Sequence, residues 1–329
     1  MYKIIILFAL LFSTLYAEEE YELGSGVQVG SLPFYVGGYF SVDYKNMDDY
    51  ERYRVDDLAF LGYGSYSKFS YLVELEYKEL YVKTDDNGVK ETSKDTKLYT
   101  ERVYLDYTLD ENFMFRVGKY NSPIGFWNLL PINVLRETSS NPISSYILFP
   151  KFTTGLSASY SSYSEGEFKI DLMLQDNKDI DAEYNNYEID KHYSFGVSYE
   201  MDEFAYKLNG GYFHPKEDIN EDDLYYFLLS AKYETDMYQI QAELGSQRNE
   251  NEFTTKYAGY LQGIYRFTDQ HIAIVRLESY NNQLHNVSDE MAIIGYTYRP
   301  LYPIAIKSEY QFHSLTKENQ FLFSLSVLF

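Results

Sequence analysis

The stretch that decides the fold is Gln320-Phe321-Leu322-Phe323-Ser324-Leu325-Ser326-Val327-Leu328-Phe329, at the end of the 329-residue chain. Alternate side chains of a β-strand point to opposite faces, so the aromatic and aliphatic residues at odd positions share one apolar face. The other face carries Leu322, Ser324, Ser326 and Leu328. A membrane-crossing strand needs about nine to eleven residues with one apolar and one polar face. The segment therefore predicts a closing strand of a transmembrane β-barrel, and the edge strand of a soluble β-sandwich is the alternative.

The first residues carry the pattern of an export signal. Lys3 supplies a positive charge, Ile4 to Leu15 form an apolar run, and Ala17 precedes the acidic stretch Glu18 to Glu20. This order is typical of a cleaved secretory peptide. The apolar run is too short to cross a bilayer as a helix, so insertion must use strands. We predict a signal peptide at residues 1–17 and one β-barrel domain at residues 18–329.

The composition agrees with a barrel that has aromatic girdles and a wet interior. The chain has 38 Tyr and 22 Phe beside one Trp, yet its mean hydropathy is −0.40. Its 50 acidic and 28 basic residues give a net charge of −22, which argues against nucleic acid as a partner. Because the chain has no Cys, its stability cannot depend on disulfides.

Alternation of apolar and polar residues recurs along the chain in sixteen runs, separated alternately by tight turns and longer loops. The runs are 33–44, 52–65, 67–80, 97–109, 112–120, 152–163, 166–175, 190–201, 203–214, 223–234, 236–247, 254–268, 270–281, 288–300, 302–313 and 320–329. The longer loops are 45–51, 81–96, 121–151, 176–189, 215–222, 248–253, 282–287 and 314–319. An antiparallel barrel with both termini in the periplasm has this rhythm. We predict an all-β transmembrane antiparallel barrel of about 16 strands, with 14 or 18 as alternatives.

The third long loop, 121–151, differs from the others because it is apolar and contains Pro123, Pro131, Pro142 and Pro150. A segment with so much apolar surface must pack on something, and long ordered loops in compact domains are usually functional. We predict that it folds into the lumen and narrows an aqueous channel. An external cap and a subunit-contact loop are the alternatives. In the second long loop, Asp85-Asp86-Asn87-Gly88 predicts a tight turn rather than a cation site.

Two features resemble known outer-membrane porins of Gram-negative bacteria. The stretch Gly118-Lys119-Tyr120-Asn121-Ser122-Pro123-Ile124-Gly125-Phe126-Trp127-Asn128, followed by Phe149-Pro150 and Thr154-Gly155-Leu156, looks like the phosphate-selective porin-like (porin O/P-like) group. A longest third loop that folds inward resembles the sixteen-stranded general porins. The resemblance implies a homotrimer and handover to the barrel assembly machinery through the strand that ends in Phe329. The chain departs from an anion-selective member in having 28 basic residues against 50 acidic ones.

The alternation also assigns charged side chains to the lumen. On the run 97–109, Val103 and Leu105 face lipid, which puts Arg102 and Asp106 inside, and the same rule puts Arg116 inside. The predicted pore-lining or constriction residues are Arg102, Asp106, Arg116, Lys119, Arg136, Glu137 and Lys151. They predict a locally cationic constriction, and structural ion pairs between wall and loop are the alternative. Further inward candidates are Glu74, Glu76, Lys78, Lys169, Asp171, Glu200, Lys207, Lys232, Glu243, Arg266, Arg276, Glu278, Lys307 and Glu309.

These patterns predict a porin: a passive diffusion channel in the outer membrane for ions and small hydrophilic solutes, in contact with outer-membrane lipid. No catalytic motif is present, and His192, His214, His285 and His313 are interpreted as scattered solvated side chains. We therefore expect no enzymatic activity, no cofactor and no metal. A surface-binding, adhesin-type barrel without an open pore is the alternative. Small residues at alternate positions, such as Ser157, Ser159 and Ser161, favour the open pore.

Overall fold

The computed structural model describes residues 22–216 and 222–329, so the predicted signal peptide lies outside the described residues. Sixteen antiparallel strands form the wall of a barrel, each pairing with its neighbours along the chain. The strands are β1 (Phe34–Met47), β2 (Tyr50–Tyr66), β3 (Phe69–Asp86), β4 (Leu98–Thr108), β5 (Phe113–Asn121), β6 (Phe152–Tyr163), β7 (Glu167–Asp176), β8 (Ile189–Met201), β9 (Phe204–Pro215), β10 (Leu224–Glu234), β11 (Tyr238–Arg248), β12 (Phe253–Thr268), β13 (His271–Asn282), β14 (Val287–Leu301), β15 (Ile304–His313) and β16 (Gln320–Leu328). The predicted all-β antiparallel barrel and its strand number are confirmed.

The barrel closes between its last and first strands. β16 pairs with β1 in a register that sets Leu325 opposite Val42. Beyond the end of β16, Phe329 N–H donates to Gly38 O at 2.7 Å and Gly38 N–H donates to Phe329 O at 2.8 Å. Closure pairs the backbone groups of both edge strands, which a membrane requires of a β-structure.

The two faces of the wall differ as the alternation predicts. On β13, Val275 and Leu277 are 53% and 52% exposed, whereas the alternate residues Arg276 and Glu278 are 0% and 4% exposed. In a closed barrel the exposed apolar face is the outside, because alternate side chains must point inward. The buried charges of the wall therefore lie on its inner face.

The predicted bounds of loops 45–51 and 81–96 are wrong, because the strands extend into both. β1 and β2 continue to a two-residue turn at Asp48 and Asp49, and β3 continues to Asp86, where it pairs with a short strand, Val89–Ser93. The apolar alternation ends where a strand has water on both faces, since neither face then needs to be apolar. Backbone pairing continues beyond that point, so the strands are longer than the alternation predicts. The turn prediction is confirmed: Asn87 and Gly88 have φ of +51° and +84°.

A β-bulge interrupts the pairing of β3 with β4. Glu74 pairs with Arg102, but Leu75 pairs with Thr100, which leaves Glu101 as the extra residue. Strict alternation would place Glu101 on the lipid side. Because a bulge reverses the alternation locally, Glu101 is instead 4% exposed and hydrogen-bonded beside Glu74.

The helical elements are short. Loop 122–151 contains one α-helical turn, α1 (Ser144–Ile147), and 3-10 turns at Trp127–Leu129 and Asn133–Leu135. A third 3-10 turn, Ala182–Tyr184, lies in loop 177–188. Within residues 22–216 and 222–329, no helix has the length and apolar character needed to cross a membrane.

Candidate functional site

Side chains of β9 and β11 bind the first part of loop 122–151. Gly125 N–H donates to Asn209 Oδ1 at 2.9 Å. Trp127 N–H donates to Glu243 Oε1 at 3.1 Å, and Phe126 N–H donates to the same oxygen. These wall residues occupy the buried, inner-face positions of their strands. They satisfy backbone donors that the loop could not pair within itself.

Side chains of β13, β14 and β15 bind the middle of the loop. Lys307 Nζ donates to Asn133 Oδ1 at 2.9 Å, and Arg299 Nη1 donates to Val134 O at 2.8 Å. Ser140 Oγ donates to Glu309 Oε2 at 2.6 Å and accepts from Arg276 Nη2 at 2.6 Å. The charged wall groups of these strands are therefore partners of the loop rather than of water.

Two apolar clusters join the loop to the wall. Ile124, Leu148 and Phe149 of the loop pack with wall residues that include Phe213 and Leu228. Farther along the loop, Ile132 and Val134 pack with Tyr39, Ala59, Leu61 and Ala305. The prediction that the apolar loop packs on other structure is confirmed by these contacts. The clusters contact different arcs of the wall, so the loop is attached at both.

Loop and wall together line two cavities. The loop-side cavity has a volume of about 740 Å³ and is lined by strand residues near the long loops, such as Lys45 and His313. The turn-side cavity has a volume of about 550 Å³ and is lined by strand residues near the tight turns, such as Glu200 and Arg266. Three loop residues line both cavities: Trp127, Leu130 and Arg136.

Arg136 differs from the charged wall residues in its partners. Its guanidinium donates to Asn141 Oδ1 and lies 6.0 Å from the centre of the Trp127 ring. No ion pair joins Arg136 to a carboxylate of the described residues, and its Nε has no hydrogen-bond partner there. Arg136 therefore contributes a positive charge that no described carboxylate neutralises, at the position where the two cavities meet.

The other predicted loop residues have different environments. Glu137 lies 3.1 Å from Arg299 Nη2 and lines the turn-side cavity. Lys151 Nζ lies 4.6 Å from the centre of the Tyr146 ring and lines the loop-side cavity. Glu137 is thus neutralised by the wall, whereas no ion pair joins Lys151 to a described carboxylate.

The predicted wall residues have partners in the wall and in loop 177–188. Arg116 Nε lies 2.6 Å from Asp106 Oδ1, and Arg102 pairs with Glu74. Lys119 Nζ donates to Thr100 O and Asp181 O, each at 2.9 Å. Neither cavity is lined by Arg102, Asp106, Arg116 or Lys119. The structure therefore does not bring these four residues together with Arg136 and Glu137. Arg102, Asp106 and Arg116 form ion pairs within the wall, and Lys119 donates to backbone carbonyls.

A cluster of carboxylates around one phenol was not predicted as a group. Tyr39 Oη lies 2.9 Å from Glu74 Oε1, 3.0 Å from Glu76 Oε2 and 3.1 Å from Glu101 Oε2. Tyr184, in loop 177–188, donates to Glu101 at 3.0 Å. Burial raises the pKa of Tyr184 well above its ordinary value, and Glu101 adds to this shift, so the phenol remains a donor. In the sequence, Glu at positions 74 and 76 predicts two inward carboxylates. Glu101 joins them only because of the bulge.

The interpretation of the histidines as solvated is wrong for His192. Its side chain is buried, with Nε2 at 2.8 Å from Tyr226 Oη and Nδ1 at 3.1 Å from Thr153 Oγ1. His214 and His313 each contact one carboxylate, Asp223 at 2.8 Å and Asp289 at 2.7 Å. In the part of the chain that the structure describes, no group of three or more His, Cys, Asp or Glu residues is arranged to hold a metal ion.

The barrel is similar to several solved structures. OmpF of Salmonella typhi, in complex with daunomycin, matches with a TM-score of 0.61 and 12% identity over 90% of this chain and 97% of that chain. OmpT, an outer membrane protein of Vibrio cholerae in its trimer form, matches with a TM-score of 0.61 and 11% identity over 90% and 99%. The outer membrane channel DcaP of Acinetobacter baumannii matches with a TM-score of 0.57 and 11% identity over 92% and 100%. No protein-family model and no curated protein sequence matches the chain. At these identities the likeness shows the fold.

Proposed function

We propose that this protein is an outer-membrane porin, a passive diffusion channel for ions and small hydrophilic solutes. The observation that carries the proposal is the pair of cavities that meet at Trp127, Leu130 and Arg136 inside a closed sixteen-strand wall. A barrel of this size leaves an aqueous channel unless something fills it. Diffusion through such a channel needs neither a cofactor nor an energy source, and we propose no enzymatic role.

We infer that loop 122–151 lies within the barrel and forms the constriction. Its backbone contacts wall residues that occupy buried, inner-face positions on β9, β11, β13, β14 and β15, such as Asn209, Glu243 and Glu309. An external cap would contact the ends of strands and other loops instead. Arg136, Glu137 and Lys151 are the proposed charged residues of the constriction. Arg102, Asp106, Arg116 and Lys119 are proposed as charged wall residues of the lumen, held by partners in the wall and in loop 177–188.

The setting of the protein is also proposed. The apolar outer face, with exposed residues such as Leu244 and Ile294, suits outer-membrane lipid. Export through a cleaved signal peptide at residues 1–17 and assembly through the strand that ends in Phe329 complete the proposed route to the membrane. A homotrimer is proposed from the porin fold.

A planar bilayer experiment tests the channel function. The chain, refolded in detergent and shown to form the barrel by circular dichroism, is added to a bilayer in KCl. Stepwise current increases support the proposal, and the reversal potential under a KCl gradient reports the preferred ion. A folded barrel that inserts without opening would overturn it and favour a surface-binding barrel. Denatured protein in the same detergent is the control for leakage.

A further inference from the structure

We propose, on the basis of the proposed channel function, that the position where the two cavities meet is a transient binding site for small organic anions with an apolar body. The proposed ligand is a monocarboxylate that carries a ring or a short hydrocarbon chain. The site would bind the carboxylate at Arg136 and the apolar part beside Leu130 and Trp127. An inorganic anion would use only the first of these contacts.

Exposed apolar side chains of the loop are the first observation. Leu129 and Leu130 are 47% and 45% exposed, although Ile124 and Val134 in the same loop are fully buried. Leu130 lines both cavities, and Leu129 lines the turn-side cavity. Apolar surface that contacts water in the path is unfavourable when no solute covers it. A solute with an apolar part removes that surface from water as it passes.

The charge balance around Leu130 is the second observation. Arg136 has no carboxylate partner among the described residues, while nearby acids are already satisfied. Glu137 is paired with Arg299, Glu278 with Arg276, and Glu243 accepts from the loop backbone. The loop therefore offers one free guanidinium beside its exposed apolar residues. A guanidinium binds a carboxylate more specifically than it binds a spherical ion, because it presents paired N–H donors.

Two acidic residues that line the loop-side cavity are buried and hydrogen-bonded. Glu76 and Glu101 line this cavity but are 1% and 4% exposed. Tyr39 and Tyr184 lie within hydrogen-bond distance of these carboxylates. Lys45, Arg52 and Lys78 also line this cavity, so an anion is attracted into it. The exposed apolar surface of Leu130 favours binding beside Arg136 when the anion has an apolar part.

Single-channel recording in KCl tests this proposal with three probes. Sodium benzoate has both the ring and the charge, sodium acetate has the charge alone, and benzamide has the ring alone. We expect benzoate to interrupt the KCl current at a concentration about tenfold lower than acetate or benzamide. Equal potency of benzoate and acetate would overturn the proposal while leaving the channel function intact. Absence of KCl openings would instead overturn the channel function.

Three variants locate the site. Leu130→Ser and Arg136→Gln should each weaken the benzoate interruption about tenfold, whereas Arg136→Lys should retain part of it. Leu284→Ser is the matched control, since Leu284 is 43% exposed in loop 283–286 and lines neither of the two cavities. If Leu284→Ser weakens the interruption as much as Leu130→Ser does, the proposed site is wrong.

Discussion

Glu243, on the inner face of β11, accepts a hydrogen bond at 3.1 Å from the backbone N–H of Trp127, although 116 residues separate the two. The same oxygen accepts the N–H of Phe126. Glu243 is 2% exposed, so water cannot replace it as the acceptor. One buried carboxylate therefore holds the loop turn that carries Trp127 and leads to Leu130.

Removal of this acceptor should loosen the loop. In Glu243→Ala, two backbone donors lose their partner, and each buried unsatisfied group costs about 1–3 kcal/mol. We expect a noisier single-channel current and faster proteolytic cleavage within residues 122–151. Glu111→Ala is the control, because Glu111 is exposed in a tight turn. A steady current in Glu243→Ala would show that the other contacts are enough to hold the loop.

Substitutions of Arg299 and Glu137 should have coupled and unequal effects on the free energy of unfolding. Their side chains are 7% and 15% exposed, and breaking a buried ion pair costs about 3–5 kcal/mol. Arg299 also donates to Val134 O and Arg136 O, so Arg299→Met should lower the free energy of unfolding more than Glu137→Gln. Denaturant unfolding of both single variants and the double variant measures the coupling. Additive effects of the two substitutions would contradict the pairing.

Neutralising Arg136 should change the ion preference of the proposed channel. Because Arg136 is unpaired and lines both cavities, Arg136→Gln should lower the ratio of chloride to potassium permeability, by about threefold. Lys151→Gln should lower it less, since Lys151 lines only the loop-side cavity. Reversal potentials under a KCl gradient give these ratios. Arg248→Gln, an exposed charge outside both cavities, should leave the ratio as it is.

Gly118 should be required for folding of the hairpin that leads into the loop. Its φ is +127°, and an added Cβ would lie 2.1 Å from Val103 O on β4. Such a backbone conformation costs a residue other than Gly on the order of 1–3 kcal/mol, before the clash is counted. Gly118→Ala should refold in lower yield, measured by heat-modifiable migration on gels. Gly263→Ala is the matched control, because nothing lies within 4 Å of its added Cβ.

The strands were predictable because their signal is local. A wall with hydrocarbon on one side and charged groups on the other must alternate residue by residue, as Val275, Arg276, Leu277 and Glu278 do. The alternation ends where both faces of a strand contact water, so it did not predict the extensions of β1, β2 and β3. Alternation did not predict the bulge at Glu101, because a bulge depends on how two strands pair rather than on either sequence.

The candidate site was less predictable, since its partners are far apart in the chain. Composition indicated that loop 122–151 would be packed, but Lys307 reaches Asn133 across 174 residues and Arg276 reaches Ser140 across 136. Alternation predicts that Arg102 and Arg116 point inward from their strands. It carries no information on their partners, Glu74 and Asp106. Arg136 and Lys151 could be identified as loop cations, but the sequence does not tell that neither forms an ion pair with a described carboxylate.

The sequence by itself determined an antiparallel barrel and the identity of its long third loop, because an apolar outer face and a polar inner face impose a two-residue period that recurs in sixteen runs separated by turns and loops. The tertiary structure decided where the loop is held and which charges stay free. Those outcomes depend on hydrogen bonds and ion pairs between residues more than a hundred positions apart, such as Glu243 with Trp127 and Arg299 with Glu137. No local pattern encodes them, since each contact exists only once the strands have closed and fixed both partners.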